Sequence, residues 1–166
     1  MKEKITIRPI IPSDIDNLFY LVRRRGTFNE QEIEVAEEVI GDSLFHPEKE
    51  EYYTFCALHD SGELAGFISF GPIPMTDGRY DLYWIAVDEK FSWNGVGEKL
   101  LKKMEDFILN EKGKRIYSDT SSTDPYASAR SFYKKHGFVL IAELKDFYRK
   151  GDHKMTFMKT LVGDSI

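Results

Sequence analysis

The chain has a single cysteine, Cys56, which excludes an internal disulfide and a cysteine-based metal site. Cys56 lies in an apolar, strand-like run, where packing suits it better than reactivity. The four histidines, His46, His59, His136 and His153, show no HxxxH pairing, so no metal centre is expected. A basic excess is also missing: 23 Lys and Arg stand against 28 Asp and Glu, a formal net charge of -5. Nucleic acid or an anionic membrane would favour a basic face, so neither is an expected partner. No apolar run approaches membrane-spanning length, and Met1-Lys2-Glu3-Lys4-Ile5 has no apolar signal core. The expected location is therefore cytoplasmic. What is present is an ordinary globular composition, 42% apolar and 31% charged over 166 residues. That length reads as one domain, residues 1–166, and a chain of this size typically buries roughly 70% of its unfolded surface.

The stretch Trp84–Leu101, WIAVDEKFSWNGVGEKLL, organises the rest. Trp84-Ile85-Ala86-Val87 is an apolar strand, and Asp88-Glu89-Lys90 breaks it. After Asn94-Gly95-Val96-Gly97, apolar residues fall at Val96, Leu100, Leu101, Met104, Phe107 and Ile108, the spacing of one helix face. A helix start has unpaired N–H groups and the positive end of a dipole, so it suits an anion. Gly95 and Gly97 lack a Cβ and would let a phosphate approach the backbone, although two glycines can equally just begin a helix. Spacing excludes the common phosphate loops. A Rossmann fingerprint would need a third glycine where Leu100 stands, and a P-loop would need Gly-Lys-Ser/Thr where Gly97-Glu98-Lys99 stands.

Elsewhere, Ile5–Arg8 alternates as a first strand before Pro9. Ser13 or Asp14 can cap a helix bearing Ile15, Leu18, Phe19 and Val22. Arg23-Arg24-Arg25 ends it; the run could bind phosphate, but a solvated complement to the helix dipole is the preferred reading. Asn29 with Glu32 is a capping-box start for a helix carrying Ile33, Ala36, Ile40 and Leu44. Glu30, Glu34, Glu37 and Glu38 share another face; it could attract a cationic amine or be merely solvated. Tyr53–Leu58 and Leu64–Phe70 flank Asp60-Ser61-Gly62-Glu63 as a hairpin, and Arg79–Val87 follows as a strand. Beyond the long helix, Arg115–Ser118 is a strand. Asp124-Pro125 begins a helix with Tyr126, Ala129, Phe132 and Tyr133 on its apolar face, closed by Gly137. Phe138–Ile141 and about His153–Leu161 are the last strands, with Met155, Phe157 and Thr160 packing. The order β-α-α-β-β-β-α-β-α-β-β predicts an α/β fold: a mixed, largely antiparallel central sheet flanked by helices on both faces.

The glycine loop resembles the acyl-coenzyme A loop of the GCN5-related N-acetyltransferases, the GNAT superfamily, whose pattern is Arg/Gln-x-x-Gly-x-Gly/Ala after an apolar strand. Gly95 and Gly97 match; Ser92 stands where Arg or Gln is usual, removing one side chain expected near the phosphates. A second stretch, Ala129-Arg130-Ser131-Phe132-Tyr133-Lys134-Lys135-His136-Gly137-Phe138, is similar to the family's Ala-x-x-Phe-Tyr-x-x-x-Gly-Phe signature. Tyr126 occupies a position where many members have Asn. The element order is similar to the whole family fold, so the resemblance covers nearly the full chain.

The resemblance implies an N-acetyltransferase that passes the acetyl group of acetyl-CoA directly to a primary amine of a small molecule or peptide in a ternary complex. It implies a strand splayed from its neighbour, with the Ile85 N–H aimed at the acetyl carbonyl and the Val87 N–H on the pantetheine arm. The cofactor would follow Ile85, Ala86 and Val87, then Ser92, Trp93, Asn94, Gly95, Val96, Gly97 and Glu98, and meet Tyr126, Ala129 and Tyr133. Tyr133 aligns with a general acid for the leaving thiolate. Asp81 lies three residues before Trp84, where histone-type members carry a catalytic glutamate. As an ordinary carboxylate it would be a weak base unless burial or neighbours raised its pKa. Phe28, Tyr52, Tyr80, Tyr83, Phe147 and Tyr148 are candidates to line the acceptor pocket. A homodimer is left open. An acyl-CoA-binding module without turnover is the competing reading.

Overall fold

The structure is a computed structural model and describes residues 3–163. The reading of Met1 and Lys2 falls outside those residues. Seven strands and four helices follow the expected order: β1 (Ile5–Pro9), α1 (Ile15–Arg24), α2 (Glu30–Phe45), β2 (Tyr53–His59), β3 (Leu64–Pro72), β4 (Arg79–Val87), α3 (Val96–Asn110), β5 (Arg115–Ser121), α4 (Ala127–Lys135), β6 (Val139–Arg149) and β7 (Asp152–Thr160). They form one seven-stranded sheet, β1-β2-β3-β4-β5-β7-β6. Only β4 and β5 pair in parallel; the other neighbours are antiparallel.

The apolar faces read from spacing explain the two cores. On one side of the sheet, Val96, Leu100, Leu101, Met104 and Ile108 of α3 pack with Ile68, Phe70, Leu82, Ile116 and Phe157. On the other, Leu18, Leu21 and Val22 of α1 and Ala36 and Ile40 of α2 pack on Cys56, Phe67 and Ala86. Helices therefore cover both faces. Cys56 is fully buried, and desolvation pushes its thiol up to about 12, as befits packing.

Several local expectations need correction. The three arginines at the end of α1 are each partnered, although Arg23 and Arg24 remain exposed. Arg23 pairs with Glu37 at 2.6 Å, Arg24 pairs with Asp88, and Arg25 Nη1 donates to the Val87 carbonyl at 2.6 Å. Asp124 does not cap a helix: Asp124–Tyr126 forms a single tight turn after Thr123, and Tyr126 precedes α4 instead of lying on its face. β6 runs eleven residues, not the four of Phe138–Ile141, and every one of them is exposed. Thr160 is exposed, leaving Phe157 as the fully buried packing residue of β7. The capping box of α2 forms as read, with Asn29 Oδ1 accepting from the Glu32 N–H at 2.9 Å.

Candidate active site

The site is built on the outer half of β4. Asp88 N–H donates to Ala65 O at 2.8 Å, and the register pairs Gly66 with Val87 and Ile68 with Ile85. In an antiparallel ladder, opposite pairs alternate between hydrogen-bonded and non-hydrogen-bonded. Asp88, Ala86 and Trp84 therefore turn their backbone groups toward β3, and Val87 and Ile85 turn theirs away. Those groups would face β5 in an ordinary sheet. Here the parallel pairing of β4 with β5 stops at Asp81 opposite Tyr117, and beyond it the strands part. A bulge contributes to this geometry. The β3–β4 register slips between Ser69 and Phe70, leaving Tyr83 as the extra residue. Leu82 and Ile85 both reach the α3-side core, while Trp84 packs with the α1–α2 side, edge-on to Phe28 with ring centroids 5.1 Å apart.

The opening between the strands is a cleft with two connected parts. A cavity of about 140 Å³ is lined by Arg25, Ile85, Ala86, Val87, Ser128, Ala129 and Phe132. A second, of about 290 Å³, shares Arg25, Ile85, Ser128 and Ala129 and adds Tyr126 and Tyr133. The structure thus brings Ile85, Ala86, Val87, Tyr126, Ala129 and Tyr133 together. Tyr133 is 5% exposed and packed between Phe138 and Phe157. Burial raises its phenol pKa, and a hydrogen bond with Ser118 on the facing strand draws it partly back. Tyr126 donates to Glu32 Oε1 at 2.5 Å; burial first, then that carboxylate, raise its pKa.

The start of α3 lies beside this cleft but does not line it. Gly95 takes the left-handed conformation at φ +65°, with open space around it. Gly97 is glycine for another reason: a Cβ there would come within 3.0 Å of Phe132 Cε2 and 3.7 Å of Val87 Cγ2. The two signature stretches therefore touch through Gly97 and Phe132. The first intrahelical bond runs from Lys99 N–H to Gly95 O, so the N–H groups of Val96, Gly97 and Glu98 precede the helical ladder. Ser92 turns its hydroxyl back onto Glu89 O at 3.0 Å, Asn94 reaches Glu3, and Trp93 is 93% exposed.

Asp81 stands apart, in a cavity of about 460 Å³ with Ile73, Tyr117, Asp119, Lys154 and Thr156. Asp119 borders both this cavity and the cleft. Burial, and then repulsion from Asp119, push the Asp81 carboxyl up to about 6, partly offset by Lys154. Of the six aromatics considered for the acceptor pocket, Phe28, Tyr83 and Tyr148 line the 290 Å³ part of the cleft. Tyr80 is in the α3-side core, Tyr52 packs on Tyr83, and Phe147 packs on Tyr148. Sequence reading missed Ser118 and Asp119 as site residues, took Glu32 only as a capping residue, and set the phosphate-binding reading of the arginine run, Arg25 included, behind a solvated helix end.

Residues 16–138 match the model of the Acetyltransferase (GNAT) family. The chain belongs to that family. GNAT proteins use acetyl-CoA as the co-substrate in acetyl transfer to amines, and the β4 edge turned away from β3, together with the open α3 start, fits such a ligand. A GNAT-family protein from Desulfovibrio desulfuricans superposes with TM-score 0.86 at 34% identity, covering 95% of this chain and 99% of its own. A spermine/spermidine N(1)-acetyltransferase of Bacillus subtilis (strain 168) is 31% identical over 99 residues, 56% of this chain. That match spans 64% of the Bacillus protein, under two thirds of its length. A Thermoplasma acidophilum N-acetyltransferase solved with coenzyme A shares the fold at TM-score 0.72 and 18% identity, covering 95% of this chain and 99% of its own.

Proposed function

We propose that this GNAT protein, acting as one domain over residues 1–166, transfers the acetyl group of acetyl-CoA to a primary amine of a small molecule or peptide by direct attack. The observation that carries this is the pair of outward-turned backbone edges at Ile85 and Val87, facing a cleft whose opposite wall holds Tyr133. The thioester supplies an activated acyl group. The Ile85 N–H donates to the carbonyl oxygen as it gains negative charge; a main-chain donor is fixed before the reaction and needs no reorganisation. The Val87 N–H and the N–H groups of Val96, Gly97 and Glu98 hold the pantetheine arm and the diphosphate, with Ser92, Trp93, Asn94 and Gly95 shaping the turn. Tyr126 and Ala129 bound the arm from the other side. The Tyr133 hydroxyl gives a proton to the departing sulfur, and its raised pKa keeps that proton on the phenol at neutral pH.

Asp81 takes the proton of the incoming ammonium, through water across the Asp119 boundary. At about 6 its carboxyl is a better base than an ordinary aspartate. Glu32, Asp119 and Asp152 line the larger part of the cleft; Arg149 pairs with Asp152 at 3.0 Å, which leaves Glu32 and Asp119 to favour a cationic amine. The polyamine named for the Bacillus relative is one such chemistry. A second copy of the chain would pair along β6, whose outer edge is unpaired and bears exposed Val139, Ile141 and Leu144. Glu143 and Lys145 flank Leu144, so antiparallel self-pairing about Leu144 sets opposite charges against each other.

Acetyl-CoA titration by calorimetry, followed by thiol-release assays against an amine panel that includes polyamines, tests the reading. Binding with amine-dependent thiol release is expected. Binding without release for any amine would instead make the protein an acyl-CoA-binding module.

A further inference from the structure

The family pattern places a basic or amide side chain at the position of Ser92, and Ser92 is spent on its own turn. A cation is nonetheless present beside the cleft. Arg25 projects from the end of α1, across the α1–α2 side of the sheet, and its Nη1 reaches the Val87 carbonyl at 2.6 Å. It borders both parts of the cleft and also the small groove formed with Leu21, Arg24, Asp88 and Glu89. Its Nε is buried without a hydrogen-bond partner among the described residues. The nearby acid, Asp88, is taken by Arg24, and among the described residues Arg25 has no carboxylate at ion-pair distance. A guanidinium that is partly buried, lacks a counter-ion and leaves a donor unused is an anion site awaiting its anion. Position supports this. Phe132 lines the smaller part of the cleft together with Arg25, and it is the ring that a Cβ on Gly97 would meet at 3.0 Å, so Arg25 shares a cavity with the side chain packed on the start of α3.

We infer that Arg25 is the diphosphate-binding cation of this protein, supplied by α1 in place of the signature side chain missing at Ser92. This rests on the reading of the cleft as an acetyl-CoA site. The contact with Val87 O gives the assignment a second consequence. The Val87 backbone edge is the edge a pantetheine amide would use, so Arg25 must give up that carbonyl as the cofactor enters. Its guanidinium then turns to the anion at the α3 start. Without cofactor, Arg25 holds the channel edge; with cofactor, it holds the charge.

Calorimetry with two ligands separates this from a plug or a packing residue. CoA carries the diphosphate, and pantetheine carries only the arm. Arg25→Ala is expected to weaken CoA binding roughly ten- to hundred-fold, the range for losing charge-assisted hydrogen bonds. The salt dependence of CoA binding should fall as well, while pantetheine affinity stays equal or rises. Arg25→Lys, which keeps the charge but loses the fork, should recover part of the CoA affinity. If Arg25→Ala binds CoA as tightly as the parent or tighter, Arg25 is only a plug and the assignment is wrong. Equal weakening of both ligands would also overturn it, because only a structural role does that. Failure of the unaltered protein to bind CoA at all would remove the acetyl-CoA reading itself, a different result from either.

Discussion

Tyr133 is buried among Phe132, Phe138 and Phe157, so its hydroxyl is the one polar group its own ring packing leaves to satisfy. Ser118 meets it from β5. Removing that hydroxyl while keeping the ring tests the acid role with little disturbance to packing. Tyr133→Phe should slow turnover by roughly 10²- to 10⁴-fold, the usual contribution of a positioned acid or base, and leave CoA affinity nearly unchanged. Steady-state kinetics beside calorimetry checks this; unchanged turnover would remove Tyr133 from the chemistry. Asp81 makes a prediction through pH. With its carboxyl at about 6, activity limited by this base should rise as pH increases through that value. Asp81→Asn should remove that limb. The same shift has a stability sign. The folded-state pKa lies above the ordinary aspartate value of 3.8, so the folded form binds more protons between those limits. Stability contributed by Asp81 therefore falls as pH rises from about 4 to about 6. Asp81→Asn should raise Tm at pH 7.5 and have no such effect near pH 3, as differential scanning calorimetry would show. Equal Tm gains at both pH values would contradict the assignment.

At the scale of elements, the two glycines of the α3 start do different work. Gly95 is required by its left-handed backbone, and nothing crowds it. Gly95→Ala should therefore cost about 1–2 kcal/mol of unfolding free energy through backbone strain. Gly97 sits in ordinary helix and is required by the Phe132 ring at 3.0 Å. Alanine there would gain about 1 kcal/mol of helix propensity and spend it moving the ring toward Val87. Gly97→Ala should thus change stability little in chemical denaturation, yet weaken CoA binding, because Phe132 lines the arm's cavity. The reverse pattern, lost stability with intact affinity, would refute this account of the contact. The bulge at Tyr83 is the other decisive local feature, since it brings both Leu82 and Ile85 to the α3-side core within one strand.

At the scale of the whole molecule, the sheet has an edge that the described residues do not cover. β6 is exposed throughout, with Val139 at 55%, Ile141 at 47% and Leu144 at 46%. Edge strands are commonly blunted by charge or proline; β6 has no proline, and its charges, Glu143, Lys145, Asp146 and Arg149, lie beyond the apolar stretch Val139–Ala142. We expect a dimer by light scattering, and Ile141→Lys should shift it to monomer while leaving the cleft intact. A monomeric parent protein at high concentration would count against β6 pairing. No helix among the described residues is long and apolar enough to cross a membrane, and none of their His, Cys, Asp and Glu side chains group into a metal site.

Much of this architecture was written in local chemistry. Apolar spacing drew α1, α2 and α3, the Asn29–Glu32 pair started α2, and glycine and proline marked the turns, because each depends on neighbours within a few residues. The two signature stretches, in order, pointed to the family. The tertiary structure alone decided what depends on distant partners. Spacing does not show where β4 leaves β5, that Tyr83 is bulged, or that Gly97 is reserved for Phe132. It does not show that Arg25 turns inward to Val87, or that burial, and then Asp119, raise the pKa of Asp81. Periodicity records which face a residue occupies within its own element. The orientation of a backbone edge, the burial of a charge and the company of a carboxylate are set by segments that meet only once the sheet has formed.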